Sequence, residues 1–248
     1  MKTLPSNNIV LLGANSDIGR VFLQRALARP RVHLVAVSRS RQRNLGKSRR
    51  ILPIDGIDLT KEADLERVAD AVGTRFREPF SVIHSVGDFW EHKPLVKTPF
   101  PEIEAMLRSQ TLTLFGVARF LTPVLIRNGG GRLVAFSCNS VGYCYPDMAP
   151  FTASKAAVEV FLRCYAHEHS TYGIAASSIA LPTIRTRTVK TAKPTGDHKN
   201  YITPEALADY VIDHVLSAPL EETGNTYRVF KHSHTFYNRS YYDRNPVA

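Results

Sequence analysis

The 248-residue chain reads as a single doubly wound α/β domain: a parallel sheet of about seven strands with helices on both faces. Three observations lead there. Short apolar runs alternate with longer segments of helical periodicity from one end of the chain to the other. These runs are apolar throughout rather than strictly alternating, as in strands buried on both faces of a parallel sheet. The first run also leads directly into a glycine turn and a helix. No internal repeat or low-complexity linker divides residues 1–248.

In chain order, NIVLL (8–12) is the first expected strand, followed by a helix from Ile18 to Ala28. VHLVAV (32–37) and ILPI (51–54) are the second and third strands. Leu65, Val68, Ala69 and Val72 recur at helical spacing within 61–77. FSVIH (80–84) is the fourth strand, 101–127 a helix, and RLVAF (132–136) the fifth strand. A long helix is expected over 148–171 and a sixth strand, IAASSIAL, over 174–181. Thr203-Pro204-Glu205 opens a helix to 217, and TYRVF (226–230) is the seventh strand.

Hydrophobic residues make up 44% and charged residues 22%, ordinary values for a globular protein. No apolar run in the sequence approaches the roughly 20 residues of a membrane span. IVLL near the N-terminus is too short for a signal peptide. Cys138, Cys144 and Cys164 have neither the number nor the spacing of a disulfide framework or a metal site, so no metal and a cytoplasmic location are expected.

The net charge of +10 raises the question of nucleic acid. The charge is concentrated, however, in Arg39, Arg41, Arg43, Lys47, Arg49 and Arg50, and again in Arg185, Arg187, Lys190, Lys193 and Lys199. Clusters of this kind are solvated loops or contacts to a phosphate-bearing small ligand. Nucleic-acid binding finds its only other support in the tail KHSHTFYNRSYYDRN (231–245).

A strand, then Gly13, then a helix entered at Gly19 is the geometry that sets a pyrophosphate on a helix N-terminus. Asn15, Ser16, Asp17 and Ile18 complete that turn. A carboxylate at Asp17 beside a diphosphate is unfavourable unless it turns away, for instance to cap the helix. At the end of the second strand an NAD site needs a carboxylate. Ser38-Arg39 offers instead a hydroxyl and a guanidinium suited to a 2′-phosphate, favouring NADP(H) over NAD(H).

On these features the chain resembles the short-chain dehydrogenase/reductase family over its whole length, with the Rossmann-like fold that implies. The first turn is similar to the family's G-x-x-x-G-x-G, with Asp17 where its middle glycine stands. The resemblance implies adenine contacts from Asp58-Leu59, a Gly87 retained in the segment His84-Ser85-Val86-Gly87, and nicotinamide contacts from Pro182, Ile184 and Thr186. It also makes 183–200 a basic lid over a small, possibly anionic, substrate. Residues 231–248 become an arm packing on another subunit of a homodimer or homotetramer.

The family's chemistry uses an asparagine, a serine, a tyrosine and a lysine. The lysine is Lys155, but the tyrosine position holds Phe151, the serine position Cys138 and the asparagine position Gln110. Phenylalanine has no proton to give, and a thiol is a poor donor. Three explanations follow. Hydride transfer persists with another acid, among Tyr143, Tyr145, His84, Asp88 and His92. Alternatively, the chain binds a nucleotide without redox chemistry, as a regulatory subunit. Or the pocket serves another reaction, such as a cyclase, an isomerase or one with Cys138 as nucleophile. Trp90, the single tryptophan, is expected near the nicotinamide.

Overall fold

The computed structural model describes residues 7–42, 48–88 and 93–229. Seven strands form one sheet in the order β3-β2-β1-β4-β5-β6-β7. They are β1 (Asn8–Leu12), β2 (His33–Val37), β3 (Ile51–Ile54), β4 (Phe80–His84), β5 (Gly131–Cys138), β6 (Ile174–Leu181) and β7 (Asn225–Arg228). Every pairing is parallel. β3 contains Pro53, which cannot donate to a ladder, and it lies at an edge where no donor is needed.

The helices are α1 (Asp17–Leu27), α2 (Glu62–Arg75), α3 (Phe100–Leu107), α4 (Thr113–Arg127), α5 (Ser140–Tyr143), α6 (Ala149–His169), α7 (Arg187–Ala192) and α8 (Pro204–Tyr210). Alternate strand residues feed opposite cores. Val10, Leu12, Val35 and Val82 pack with Leu65, Leu114, Leu121 and Val158 of α2, α4 and α6. Ile9, Leu11, Leu34 and Ile83 pack with Phe22, Leu23 and Leu207 of α1 and α8.

The helix expected over 101–127 is interrupted. A π turn at Arg108–Leu112 separates α3 from α4, and a second, at Val211–Val215, follows α8. The continuous helical stretch Phe100–Arg127 has the length and hydropathy of a membrane span, which the sequence reading did not expect. Leu114, Val117, Leu121 and Leu125 of that stretch are nonetheless committed to the core beneath the sheet. Two short helices, α5 and α7, fall where the sequence suggested only loop and lid.

Candidate functional site

The strand order reverses direction between β1 and β4, and the crevice outside the carboxyl ends of those strands is the usual ligand position in such sheets. Gly13 ends β1 with φ +82°, and both its N–H and that of Ala14 donate to the Val37 carbonyl at 3.0 Å. A Cβ on Gly13 would lie 2.5 Å from the Ser85 carbonyl oxygen; one on Gly19 would lie 2.1 Å from that of Gly13. Only glycines permit this close backbone packing, and it sets the α1 N-terminus, a favourable place for a diphosphate, on the crevice through Ser16, Asp17 and Ile18.

The Ser16 hydroxyl caps α1 by accepting from Gly19 N–H at 2.9 Å. Asp17 therefore does not cap its own helix, as the sequence suggested. Its Oδ2 accepts from the Thr188 amide at 2.9 Å and the Thr188 hydroxyl at 3.0 Å, both on α7. Burial would raise the Asp17 carboxyl, but the Thr188 bonds and the charges of Arg187 and Arg20 outweigh it and hold it below the usual carboxylate range.

A cavity of about 910 Å³ opens in this crevice. Ser16, Asp17, Ile18, Ser85, Gly87, Lys155, Pro182, Ile184 and Thr186 all line it, from the glycine turn to the far wall. Gly13, Asn15, Gly19, Ser38, Arg39, Asp58 and Leu59 are not on its wall. Ser38 is buried, its hydroxyl donating to Ser40 O at 2.6 Å and Asp55 Oδ1 at 3.0 Å, while Arg39 projects into solvent. The Thr60 hydroxyl and amide hold the Asp58 carboxyl below its usual value, and Arg39 adds to the shift from nearby. Arg50 of the basic cluster closes the end of α1, donating to Arg29 O at 2.8 Å and Leu27 O at 2.9 Å.

All five residues named for catalysis, Lys155, Cys138, Gln110, Tyr143 and Tyr145, face this same cavity, together with Phe151. Lys155 Nζ donates to Phe136 O at 2.8 Å and lies 5.7 Å from the Phe151 ring centroid, a cation–π contact. Burial pushes its ammonium down to about 8, with the Cys138 charge opposing. Cys138 Sγ accepts from Ser140 N–H at 3.5 Å. Tyr143 and Tyr145 stack with centroids 5.5 Å apart at the exposed mouth.

Gln110 sits on the first π turn, 2% exposed. Its Nε2 donates to Asp88 O at 2.9 Å, while its buried Oε1 has no hydrogen-bond partner among the described residues. Gly87 is a glycine for a local reason: a Cβ there would lie 2.1 Å from Gln110 Oε1.

His84 is corrected as a candidate acid. Its Nε2 meets Thr113 Oγ1 at 3.0 Å, and the Thr113 hydroxyl donates to Ser109 O at 2.8 Å, so the imidazole is the donor. Burial, reinforced by the Lys155 charge, lowers its pKa to about 3, and the ring stays neutral outside the cavity. Asp88 is on the cavity wall, whereas Trp90, His92, Arg43, Lys47 and the tail 231–248 lie outside the described residues.

Sequence reasoning missed Met148 on the wall; Thr188, Val189, Lys193 and Asn200 fall in the segment 183–200 but were not singled out as site residues. It also missed a buried network behind the wall. Ser137 Oγ donates to Glu159 Oε1 at 2.5 Å, and Arg228 Nη2 approaches Glu159 Oε2 at 3.5 Å. Thr186 and Thr188, one residue apart before an apolar Val189, were the only local signal for α7.

The short-chain dehydrogenase family model matches residues 7–197, from the first strand through α7. The chain belongs to the short-chain dehydrogenase family. Among curated relatives, a fatty acyl-CoA reductase of Acinetobacter baylyi is 24% identical over 222 residues, 85% of this chain and 73% of that protein. A very-long-chain 3-oxoacyl-CoA reductase of Mus musculus is 23% identical over 197 residues, 76% of this chain and 62% of that protein. Among solved short-chain dehydrogenase-like folds, a tyrosine-to-phenylalanine variant of ElxO with NADPH bound superposes with a TM-score of 0.80 at 16% identity, covering 90% of this chain and 97% of that one. An NADPH-bound carbonyl reductase from chicken fatty liver gives 0.78 at 17% identity, covering 91% and 97%.

Proposed function

We propose that this short-chain dehydrogenase binds NADP(H) in the crevice and reduces a small molecule by a route that replaces the missing phenol. One observation carries the reading: a single cavity brings the glycine turn, the Ile184–Thr186 segment and the Lys155 ammonium together. Ser16, Asp17 and Ile18 bring the α1 N-terminus, a favourable place for a diphosphate, to the cavity that Thr186 also faces. NADP(H), when bound, supplies the hydride. Lys155 supplies a positive charge at the reacting end, where it can meet a developing oxyanion. Exposed Arg39, near Asp58, is the group available to a 2′-phosphate.

Calorimetric titration with NADPH and NADH tests the cofactor reading, and heat of binding from neither at millimolar concentration overturns it. Arg39→Ala is expected to weaken NADPH about tenfold or more while sparing NADH, since a charge-assisted contact contributes about 1.5–3 kcal/mol. Equal losses for the two cofactors would remove Arg39 from phosphate recognition.

Phe151 and Cys138 favour a second reading, a nucleotide-binding protein without redox turnover. NADPH binding with no oxidation across carbonyl, quinone and acyl-thioester substrates would select it. Lys193 on the cavity wall supports an anionic substrate. Leu112, Phe115 and Val160, exposed on the neighbouring π turn, α4 and α6, support a homodimer through that face. Light scattering showing a monomer at working concentrations would reject the dimer.

A further inference from the structure

The helix α7 is six residues long, too short to be stable by itself, and it carries Arg187 and Lys190. Its orphan amides have two outside partners. The Thr186 hydroxyl accepts from Val189 N–H at 3.1 Å, and Asp17 accepts from Thr188 N–H at 2.9 Å. Asp17 also accepts from the Thr188 hydroxyl at 3.0 Å, and Arg187 Nε lies 3.8 Å from its other oxygen. The contact spans 171 residues of sequence and ties two parts of the cavity wall together, since Asp17, Thr186, Thr188 and Val189 all line that cavity. Asp17 thus gives the glycine turn a direct contact with the lid, made by the one residue of the turn that departs from the family's glycines.

We propose that Asp17 is a positioning residue that latches α7 to the glycine turn along the cavity wall, so that opening of the Asp17–Thr188 contact sets how fast a ligand enters and leaves beside it. The proposal rests on the cofactor reading only for the identity of that ligand. The latch itself belongs to the free protein. The carboxylate engages the helix N-terminus, where a negative charge is favourable, and the exposed Arg187 contact adds little.

The test compares the full chain with its Asp17→Gly and Asp17→Asn variants. Hydrogen exchange without cofactor reads the amides of Thr188, Val189 and Lys190. Asp17→Gly is expected to speed their exchange roughly ten- to a hundredfold, the span of a lost charge-assisted pair of bonds. Asp17→Asn, which keeps an acceptor oxygen but no charge, is expected to fall between. Stopped-flow with NADPH then reads the gate. Association and dissociation should both accelerate in Asp17→Gly, about tenfold, with little change in their ratio. A purely structural injury would instead raise dissociation without speeding association.

Unchanged exchange at α7 overturns the latch. Faster exchange with unchanged NADPH rates overturns its control of entry. Failure of NADPH to bind the native chain overturns the cofactor reading, and the exchange comparison alone then decides the latch. Asp209→Asn, on an exposed ion pair between α8 and α1, serves as the control expected to move neither.

Discussion

At one end of the cavity, the glycine turn acts through backbone: Gly13 at φ +82°, Gly19 packed on the Gly13 carbonyl, and the amides at the start of α1. At the other end, Lys155, Cys138, Phe151 and Gln110 act through side chains. The backbone end keeps its shape even with a carboxylate at Asp17, because that side chain turns to α7. The side-chain end presents a lysine, a thiol and a phenyl ring to the same space. A binding turn is fixed by steric limits and survives as long as its glycines do. A catalytic end is fixed by chemistry that one substitution removes without disturbing the fold.

The largest expected effect lies at the side-chain end. Phe151→Tyr with Cys138→Ser should raise NADPH-dependent reduction of simple ketones or quinones by at least about 100-fold, the usual contribution of a positioned acid. No gain in a variant that binds NADPH would show that Gln110 and its π turn have also changed what the cavity accepts. At the backbone end, Gly19→Ala should destabilise the chain by about 2–3 kcal/mol in urea unfolding and abolish cofactor binding, because the added Cβ meets backbone at 2.1 Å. A variant that folds and binds normally would break the contrast between the two ends.

Lys155 tests whether the side-chain end is held in a costly state. Its folded pKa of about 8 lies below the ordinary lysine value of 10.5, so burial of the charge destabilises the fold fully below pH 8. That cost is relieved as pH rises from 8 to 10.5, where the unfolded chain holds more protons. Lys155→Met should therefore stabilise by about 2 kcal/mol at pH 7, the gain vanishing near pH 10.5 in chemical denaturation. A gain independent of pH would mean packing rather than charge.

The smallest effect is at His84, buried at the end of β4 outside the cavity. Its folded pKa near 3 lies below 6.5, so stability is present above pH 6.5 and is lost as pH falls towards 3. His84→Gln should remove about 1 kcal/mol of the native chain's loss between pH 7 and 5.5.

The five inner strands were legible because each is a short, mostly apolar run buried on both sides, and the edge strands β3 and β7 were read as short apolar runs too; all seven observed bounds differ by only a few residues. That Phe151 and Lys155 line one cavity was legible because they lie a helical turn apart on one face of α6. The partner of Asp17 was not legible, since Thr188 is 171 residues away and the contact is made by tertiary packing. Nor was α7, whose six basic and small residues carry no apolar period. The Glu159–Arg228 pair was hidden for the opposite reason: each looked like an ordinary surface charge, and only the closing of β7 buries both.

The π turn at Arg108–Leu112 also bears on how such a chain tolerates insertions and deletions. A π turn accommodates one residue more than the α-helix around it, and each residue of an α-helix advances the face by about 100°. Deleting one residue between 108 and 112 would give an unbroken helix while swinging Gln110 and the start of the segment about the axis. The carboxamide beside Gly87 is thus set by residue count as much as by residue type, and a length change of one is a mutation of the site.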